Sequence, residues 1–336
     1  MELQLKNIGM IKEANVRIDG LTVIAGENDT GKSTVGKALF LLLKSLVNKE
    51  SSEVKDDIYG LYTIGNIDHY SEAVFKKTFL SKGSSFKLID NDKYAYVKQI
   101  ENFSKYEYDG SKHYTNLLDT IFIETPLVWN FSDFFRDIAQ IESQMNLKLD
   151  YPYLMKDLNF KLHIKSASNG VDIKKQMTQL MGGEFKKDEM GHYYFDKDGE
   201  KVELVNTATG IKTFGIFQVL SQNNWLNENT VLILDEPEVH LHPKWQLEMA
   251  KVIVNLVKGG VKIVVNSHSP YMIEALQRYG ELSEINADFY LAEDGYIGKV
   301  NNSNSQTLAK IFEKLSEPFD VFEEMDSESM EKLING

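Results

Sequence analysis

The chain has 336 residues, with 37 Lys and Arg against 50 Asp and Glu for a formal net charge of −13, 42% hydrophobic and 26% charged residues, and no cysteine. That composition excludes wholesale disorder, and the length suffices for one large domain or two small ones around a sizeable core. Zero cysteines exclude a disulfide scaffold, a cysteine-ligated zinc and a cysteine nucleophile, and fit a reducing cytoplasm. No run approaches the roughly 18 uncharged apolar residues of a membrane span. The longest apolar candidate, Ala38 to Leu43, is fenced by Lys37 and Lys44, and Met1 to Gly9 lacks the apolar core of a signal peptide. Net acidity argues against a protein that coats nucleic acid over its whole surface.

In chain order, Leu3, Leu5 and Ile8, then Val16 and Ile18, alternate as short strands, and Leu21 to Ala25 reads as a fully buried strand. Gly26 ends it, and helical spacing starts near Lys32 with Val35, Leu39, Leu42, Leu43 and Leu46. Residues 48–118 carry no clear period. Ile121 to Ile123 predicts a strand closed by Pro126, and helix-like spacing runs from Leu127 to about Met155, interrupted at Pro152. Tyr193 to Val205 predicts a hairpin around Asp198-Gly199. Then come a helix over Ile211 to Leu220, a buried strand at Val231 to Leu234, a helix from Trp245 to Val257 ended by Gly259-Gly260, and a buried strand at Val261 to Val265. Strand and helix alternating in this way imply an α/β fold with a mostly parallel sheet.

Three segments carry chemistry. Gly26-Glu-Asn28-Asp-Thr-Gly31-Lys32-Ser33 fits the G-x-x-x-x-G-K-[ST] phosphate loop in full, after a buried strand and before a helix. Its glycines let backbone N–H groups face a polyphosphate at a helix N-terminus; Lys32 would reach the outer phosphates, and the Ser33 hydroxyl would ligate Mg²⁺. Gly26, Asn28, Gly31, Lys32, Ser33 and Thr34 are thus the expected nucleotide-binding residues. Some 200 residues on, Asp235 and Glu236 emerge at the C-terminal end of a buried strand, where an open α/β sheet places its ligands. Asp235 suits the Mg²⁺ shell together with Ser33, and Glu236 suits a general base that positions water. The next strand ends in Asn266-Ser267-His268-Ser269-Pro270, which puts His268 at the same edge as a candidate sensor of the γ-phosphate or attacking water.

Together these segments resemble the ATPase head of ABC-type proteins, specifically the SMC-like and OLD-like branch of AAA family ATP-binding proteins. Asp235-Glu236-Pro237-Glu238-Val-His240-Leu-His242-Pro243 resembles that branch's catalytic strand and following loop, and Ser267 to Pro270 its switch-histidine segment. The resemblance covers roughly 1–45 and 200–292. It implies P-loop NTPase topology with N-terminal antiparallel strands and an inserted α-rich lobe, so that 1–45 and 200–336 form the head and 46–199 the lobe. It also implies an ATPase that uses ATP and Mg²⁺ and sandwiches ATP in a dimer, each nucleotide touching a serine-glycine segment of the other subunit. Asn206 to Lys212 is the candidate for that segment, with Thr209 and Gly210 as the γ-phosphate contacts; Ala208 or Thr209, depending on alignment, stands in the serine position. Ile123-Glu124-Thr125-Pro126 occupies the place of the usual glutamine-bearing loop, without the Gln.

Free-standing heads of this branch resemble ATPase subunits of bacterial anti-phage or toxin-type systems, which implies a cytoplasmic protein, no membrane, and an effector protein partner. A DNA repair or recombination ATPase of the SMC-like class is the alternative. Six lysines and two acids between Lys161 and Lys187 read as a solvated face or, alternatively, as contacts to nucleic-acid phosphates. His240-x-His242 reads as dimer-contact residues ahead of a metal site, and Gly182 to Phe185 as a hairpin edge ahead of a cyclic-dinucleotide synthase signature. Asn48-Lys49-Glu50-Ser51 stops short of the guanine-reading Asn-Lys-x-Asp. Eight acids against two lysines from Glu313 to Lys332 predict a solvated terminal helix or a partner-docking tail.

Overall fold

The computed structural model describes residues 1–47, 74–75, 80–91, 93–101, 105–110, 119–145 and 152–335; Asn48 to Ser51 lies outside them. An 11-stranded sheet forms the frame. One side of it is five parallel strands in the spatial order β7 (Asp119–Ile123), at the edge, then β11 (Thr230–Asp235), β12 (Lys262–Ser267), β3 (Leu21–Ala25) and β13 (Ala287–Glu293). Every residue of β3 and β11 is buried, as expected for strands covered on both faces. Beyond β13 the sheet continues through β14 (Tyr296–Gly298), which runs parallel to β2 (Ile11–Arg17). It then turns antiparallel through β1 (Glu2–Ile8), β4 (Leu80–Asp90), β5 (Lys93–Glu101) and β6 (Lys105–Gly110). The segment 46–199 therefore extends the sheet at both edges, with β4, β5 and β6 at one and β7 at the other.

Helix α1 (Lys32–Val47) packs within one apolar cluster, with Leu3, Leu5, Phe122 and Ile233. Phe40 crosses Phe122 of β7 edge-on at 6.4 Å, and Val35, Leu39 and Leu42 are fully buried. A 3₁₀ turn (Pro126–Phe131), capped by the Thr125 hydroxyl on the Leu127 N–H, leads into α2 (Ser132–Met145). Pro152 stands just before α3 (Tyr153–His163), where the missing proline N–H costs nothing. Helix α4 (Lys174–Met181) ends on left-handed Gly182, followed by a three-stranded antiparallel sheet of β8 (Glu184–Lys187), β9 (Tyr193–Lys197) and β10 (Glu200–Glu203). Gly182 to Phe185 is structural in this setting. A Cβ on Gly183 would stand 2.4 Å from the Asp196 carbonyl oxygen, and the Phe185 ring stacks on Trp129.

The remaining helices are α5 (Thr209–Gln222), α6 (Pro243–Lys258), α7 (Pro270–Leu282) and α8 (Asn304–Asn335). The acidic C-terminal stretch lies within the 32-residue α8. Among the described residues, no helix is long and apolar enough to cross a membrane.

One lysine departs from the solvated-face expectation. Lys161 is fully buried and paired with Asp157 and, at 3.2 Å, with Asp119, while Lys44 at the end of α1 joins the same carboxylates, reaching Asp157 at 2.9 Å. Helix spacing places Asp157 and Lys161 one turn apart on the inner face of α3. Lys174 and Lys186 are ion-paired as well, to Glu184 and to Glu184 and Asp196. Runs of lysine in sequence say nothing of the carboxylates that the fold brings to them.

Candidate functional site

Parallel strands end on the same side, and the register here aligns the three functional segments closely. Asp235 pairs with Asn266, Asn266 with Ile24, and Ser267 with Ala25. The Gly26–Ser33 loop, the Asp235-Glu236 carboxylates and His268 therefore leave one sheet edge side by side.

The loop needs its glycines for space and for conformation. A Cβ on Gly26 would stand 2.3 Å from the Ala292 carbonyl oxygen. Gly31 takes φ 91°, in the left-handed region that side chains resist, and faces Ile11. Glu27, Asn28 and Asp29 form the exposed tip, with the Thr30 hydroxyl donating to the Glu27 carbonyl at 2.9 Å. Lys32 opens α1 and folds back over the loop: its ammonium, nearly buried, donates to the Gly26 carbonyl at 2.9 Å and to that of Glu27. Burial lowers its pKa, opposed by the charges of Glu236, Asp235, Glu238 and Glu27. Thr34 follows in the first turn, also buried.

Asp235 is buried at the end of β11. Burial pushes its carboxyl above the usual range, and hydrogen bonds from Asn266 and Ser33 pull the other way. Asn266 Nδ2 donates to it at 2.8 Å. The Ser33 hydroxyl and Asp235 carboxylate thus form a hard-oxygen pair at the mouth of the phosphate loop. That donor set suits Mg²⁺, and a buried carboxylate with a raised pKa is stabilised by a nearby divalent charge.

Glu236 sits in the left-handed region at φ 50°, a conformation that costs a residue with a Cβ about 1 kcal/mol. Its N–H donates to the Asn266 carbonyl at 2.9 Å, which anchors the turn. Its carboxylate lies 3.1 Å from His268 Nδ1. Both side chains remain about a third exposed, at 32% and 40%, so water reaches them.

Glu238, Asn266 and Gln246 were not among the expected site residues, yet they hold this edge together. Buried Glu238 Oε1 accepts from the Ser267 hydroxyl at 2.6 Å and from the His268 and Ser269 N–H groups at 3.1 and 3.2 Å. The Ser269 hydroxyl donates to Gln246 at 2.6 Å, and Gln246 Nε2 donates to the Leu241 carbonyl. The sequence signal was a polar residue at the end of an apolar strand for Asn266, and a second carboxylate just past Pro237 for Glu238.

Thr209 and Gly210 form the first turn of α5. A Cβ on Gly210 would meet Trp245 at 3.1 Å and Leu241 at 3.4 Å. The N-cap residue, Ala208, contributes no side-chain cap, and Thr209 is exposed. Glu124, Thr125, Thr213, Glu236 and His240 line a small cleft. His242 caps α6, its Nδ1 accepting from the Lys244 N–H, and among the described residues no group of three metal-ligating side chains forms.

A family model described as an AAA ATPase domain matches residues 93–273, more than half of the chain. Among solved structures, the chain is similar to an SMC head bound to the C-terminal winged-helix domain of ScpA, at 11% identity, covering 88% of this chain and 95% of that one with a TM-score of 0.50. It is also similar to the Smc head domain with an extended coiled coil from Pyrococcus furiosus, at 12% identity, 94% and 99% coverage and a TM-score of 0.48. The SMC head domain from Thermotoga maritima matches at 13% identity, 88% and 96% coverage and a TM-score of 0.43. At these identities the likeness is one of fold. The matched family segment contains both the Asp235-Glu236 strand and the Ser267-His268 strand, on a sheet of ABC/SMC-head type: the chain belongs to the AAA ATPase domain family and is an ATP-hydrolysing enzyme.

Proposed function

We propose that ATP binds at the shared edge of β3, β11 and β12, and that two copies of the chain close around it. The observation that carries this reading is the alignment of Lys32, Ser33-Asp235 and Glu236-His268 at one sheet edge. Lys32 exchanges the Gly26 and Glu27 carbonyls for the outer phosphates, with Asn28, Gly31 and Thr34 lining the loop. Ser33 and Asp235 hold Mg²⁺, which when bound offsets phosphate charge. Glu236 orients the attacking water, and His268 fixes the Glu236 carboxylate and senses the γ-phosphate; catalysis rests on positioning and electrostatics. Thr209 and Gly210, presented on the exposed start of α5, contact the nucleotide of the second copy.

The cycle would control a partner effector in a bacterial anti-phage or toxin-type system. Family resemblance suggests this role, and exposed Phe131, Phe134, Ile141 and Met145 on the segment inserted into the head supply apolar surface for such a partner. An SMC head bound to ScpA is a precedent for partner binding in this fold. The DNA-repair alternative draws less support, since Lys161, Lys174 and Lys186 already have carboxylate partners.

Lys32→Ala tests the site. The variant is expected to keep its circular dichroism spectrum and to bind ATP at least about 100-fold more weakly, the loss of a charged hydrogen-bonding group in a partly desolvated site. Unchanged ATP affinity by calorimetry would remove the phosphate loop from the account.

A further inference from the structure

A cavity of about 280 Å³ lies between the 3₁₀ turn with α2, α3 and the β8–β9 connection, sharing no residue with the phosphate loop or the carboxylate edge. Its volume is just below the usual range for small-molecule sites, which restricts it to a small ligand. Aromatic faces line it: Trp129, Phe160 and Tyr193. The polar atoms of two of these are already committed, Trp129 Nε1 donating to the Lys212 carbonyl at 2.9 Å and the Tyr193 hydroxyl to that of Leu162. What they offer a ligand is apolar ring surface.

Cations surround that surface. Arg136, Lys156 and Lys187 all line the cavity. Asp133 at the mouth pairs with Arg136 at 3.1 Å, and Lys156 has Glu142 at 3.9 Å. Lys187 has no carboxylate partner among the described residues. Its Nζ donates to the His163 carbonyl at 3.3 Å and lies 4.8 Å from the centre of the Tyr193 ring. One polar atom is unaccounted for: Asn159 Oδ1, on a lining residue, is buried and accepts no hydrogen bond. Buried acceptors are rarely left without a donor.

Ring surface, an unneutralised cation and an orphan acceptor together define a ligand: a planar heterocycle with an N–H donor and an anionic group. We propose that this cavity is a second ligand site, for a small heteroaromatic anion of the nucleoside monophosphate class. It is wired to the head, since Trp129 bonds the backbone of Lys212 and the Lys212 ammonium donates to Asn130 Oδ1 at 3.0 Å, two residues past Gly210.

Equilibrium dialysis of labelled AMP, GMP, CMP and UMP against the full chain carrying Lys32→Ala tests this with the phosphate loop silenced. At least one of the four is expected to bind, one per chain, with a Kd below about 1 mM. Its nucleoside alone, and orthophosphate alone, should each bind at least about 10-fold more weakly. Adding Lys187→Glu should weaken the mononucleotide at least about 10-fold with the circular dichroism spectrum unchanged; Arg136→Glu, at an exposed position, gives a second reading of the same loss. The proposal is overturned if none of the four binds at about 5 mM. It is equally overturned if binding survives both charge reversals, or if it occurs only when Lys32 is intact.

Discussion

Glu236→Gln is expected to bind ATP as the wild type does and to hydrolyse it at least about 100-fold more slowly, the scale of losing a positioned general base. The substitution keeps the size and hydrogen-bonding reach of the side chain, so the contact with His268, 3.1 Å in the native chain, can persist. The left-handed backbone at Glu236 is held from the Asn266 carbonyl and does not depend on the carboxylate. What would be lost is the negative charge that, in the proposed mechanism, orients water and takes up its proton. ATP that cannot be hydrolysed should hold two copies of the chain together, so light scattering of the variant with ATP and Mg²⁺ should give the mass of a dimer. A rate within about 3-fold of wild type, well inside the spread expected for removing a general base, would assign the base to another residue.

The second large effect concerns stability. Lys44, Asp119, Asp157 and Lys161 form a buried ring of two positive and two negative charges joining α1, β7 and α3. Burial disfavours the charges of Lys44, Asp119 and Lys161. The two carboxylates nevertheless hold the Lys44 pKa well above its usual value, and the two lysines hold that of Asp119 below the ordinary carboxylate range. For Lys161, burial wins and its pKa is lowered, with Asp119 and Asp157 opposing. Lys161→Met leaves two buried carboxylates facing one lysine and is expected to destabilise the chain by about 3–5 kcal/mol in urea unfolding at neutral pH. The double variant Lys161→Met/Asp157→Leu should recover much of that loss, because two charges removed together leave no uncompensated partner. A single-variant loss below about 1 kcal/mol would mean that the network is solvated.

The nucleotide edge was legible in the sequence because each of its parts is local. A phosphate loop is eight consecutive residues, and a carboxylate pair or a histidine at the end of a four-residue apolar run advertises itself in a single window. That β11, β12 and β3 run parallel follows from alternation of strand and helix; their spatial order does not. Strands β4 to β6 were not legible: their residues mix lysine, serine and tyrosine, and only the alternation of buried Ser84, Phe86 and Leu88 marks a half-buried strand in β4. The buried charge ring was invisible because its members stand at 44, 119, 157 and 161, and only the packing of α1 and α3 across β7 brings them together. The part played by Glu238 is hidden in the sequence for a related reason. Its role is to accept three hydrogen bonds from a segment about 30 residues away, a relation that spacing does not encode. The strained turn at Glu236 is likewise a product of the tertiary hydrogen bond that its N–H donates to the Asn266 carbonyl, of a kind concentrated at functional sites.

Steady-state phosphate release from ATP by the purified full chain, with and without Mg²⁺ and with Lys32→Ala as the blank, decides whether this edge hydrolyses ATP. The site described here predicts turnover that requires Mg²⁺ and disappears in the Lys32 variant. Phosphate release that persists at the same rate in Lys32→Ala, or a wild-type chain that binds ATP with Mg²⁺ and never turns it over alone or as a dimer, would contradict it.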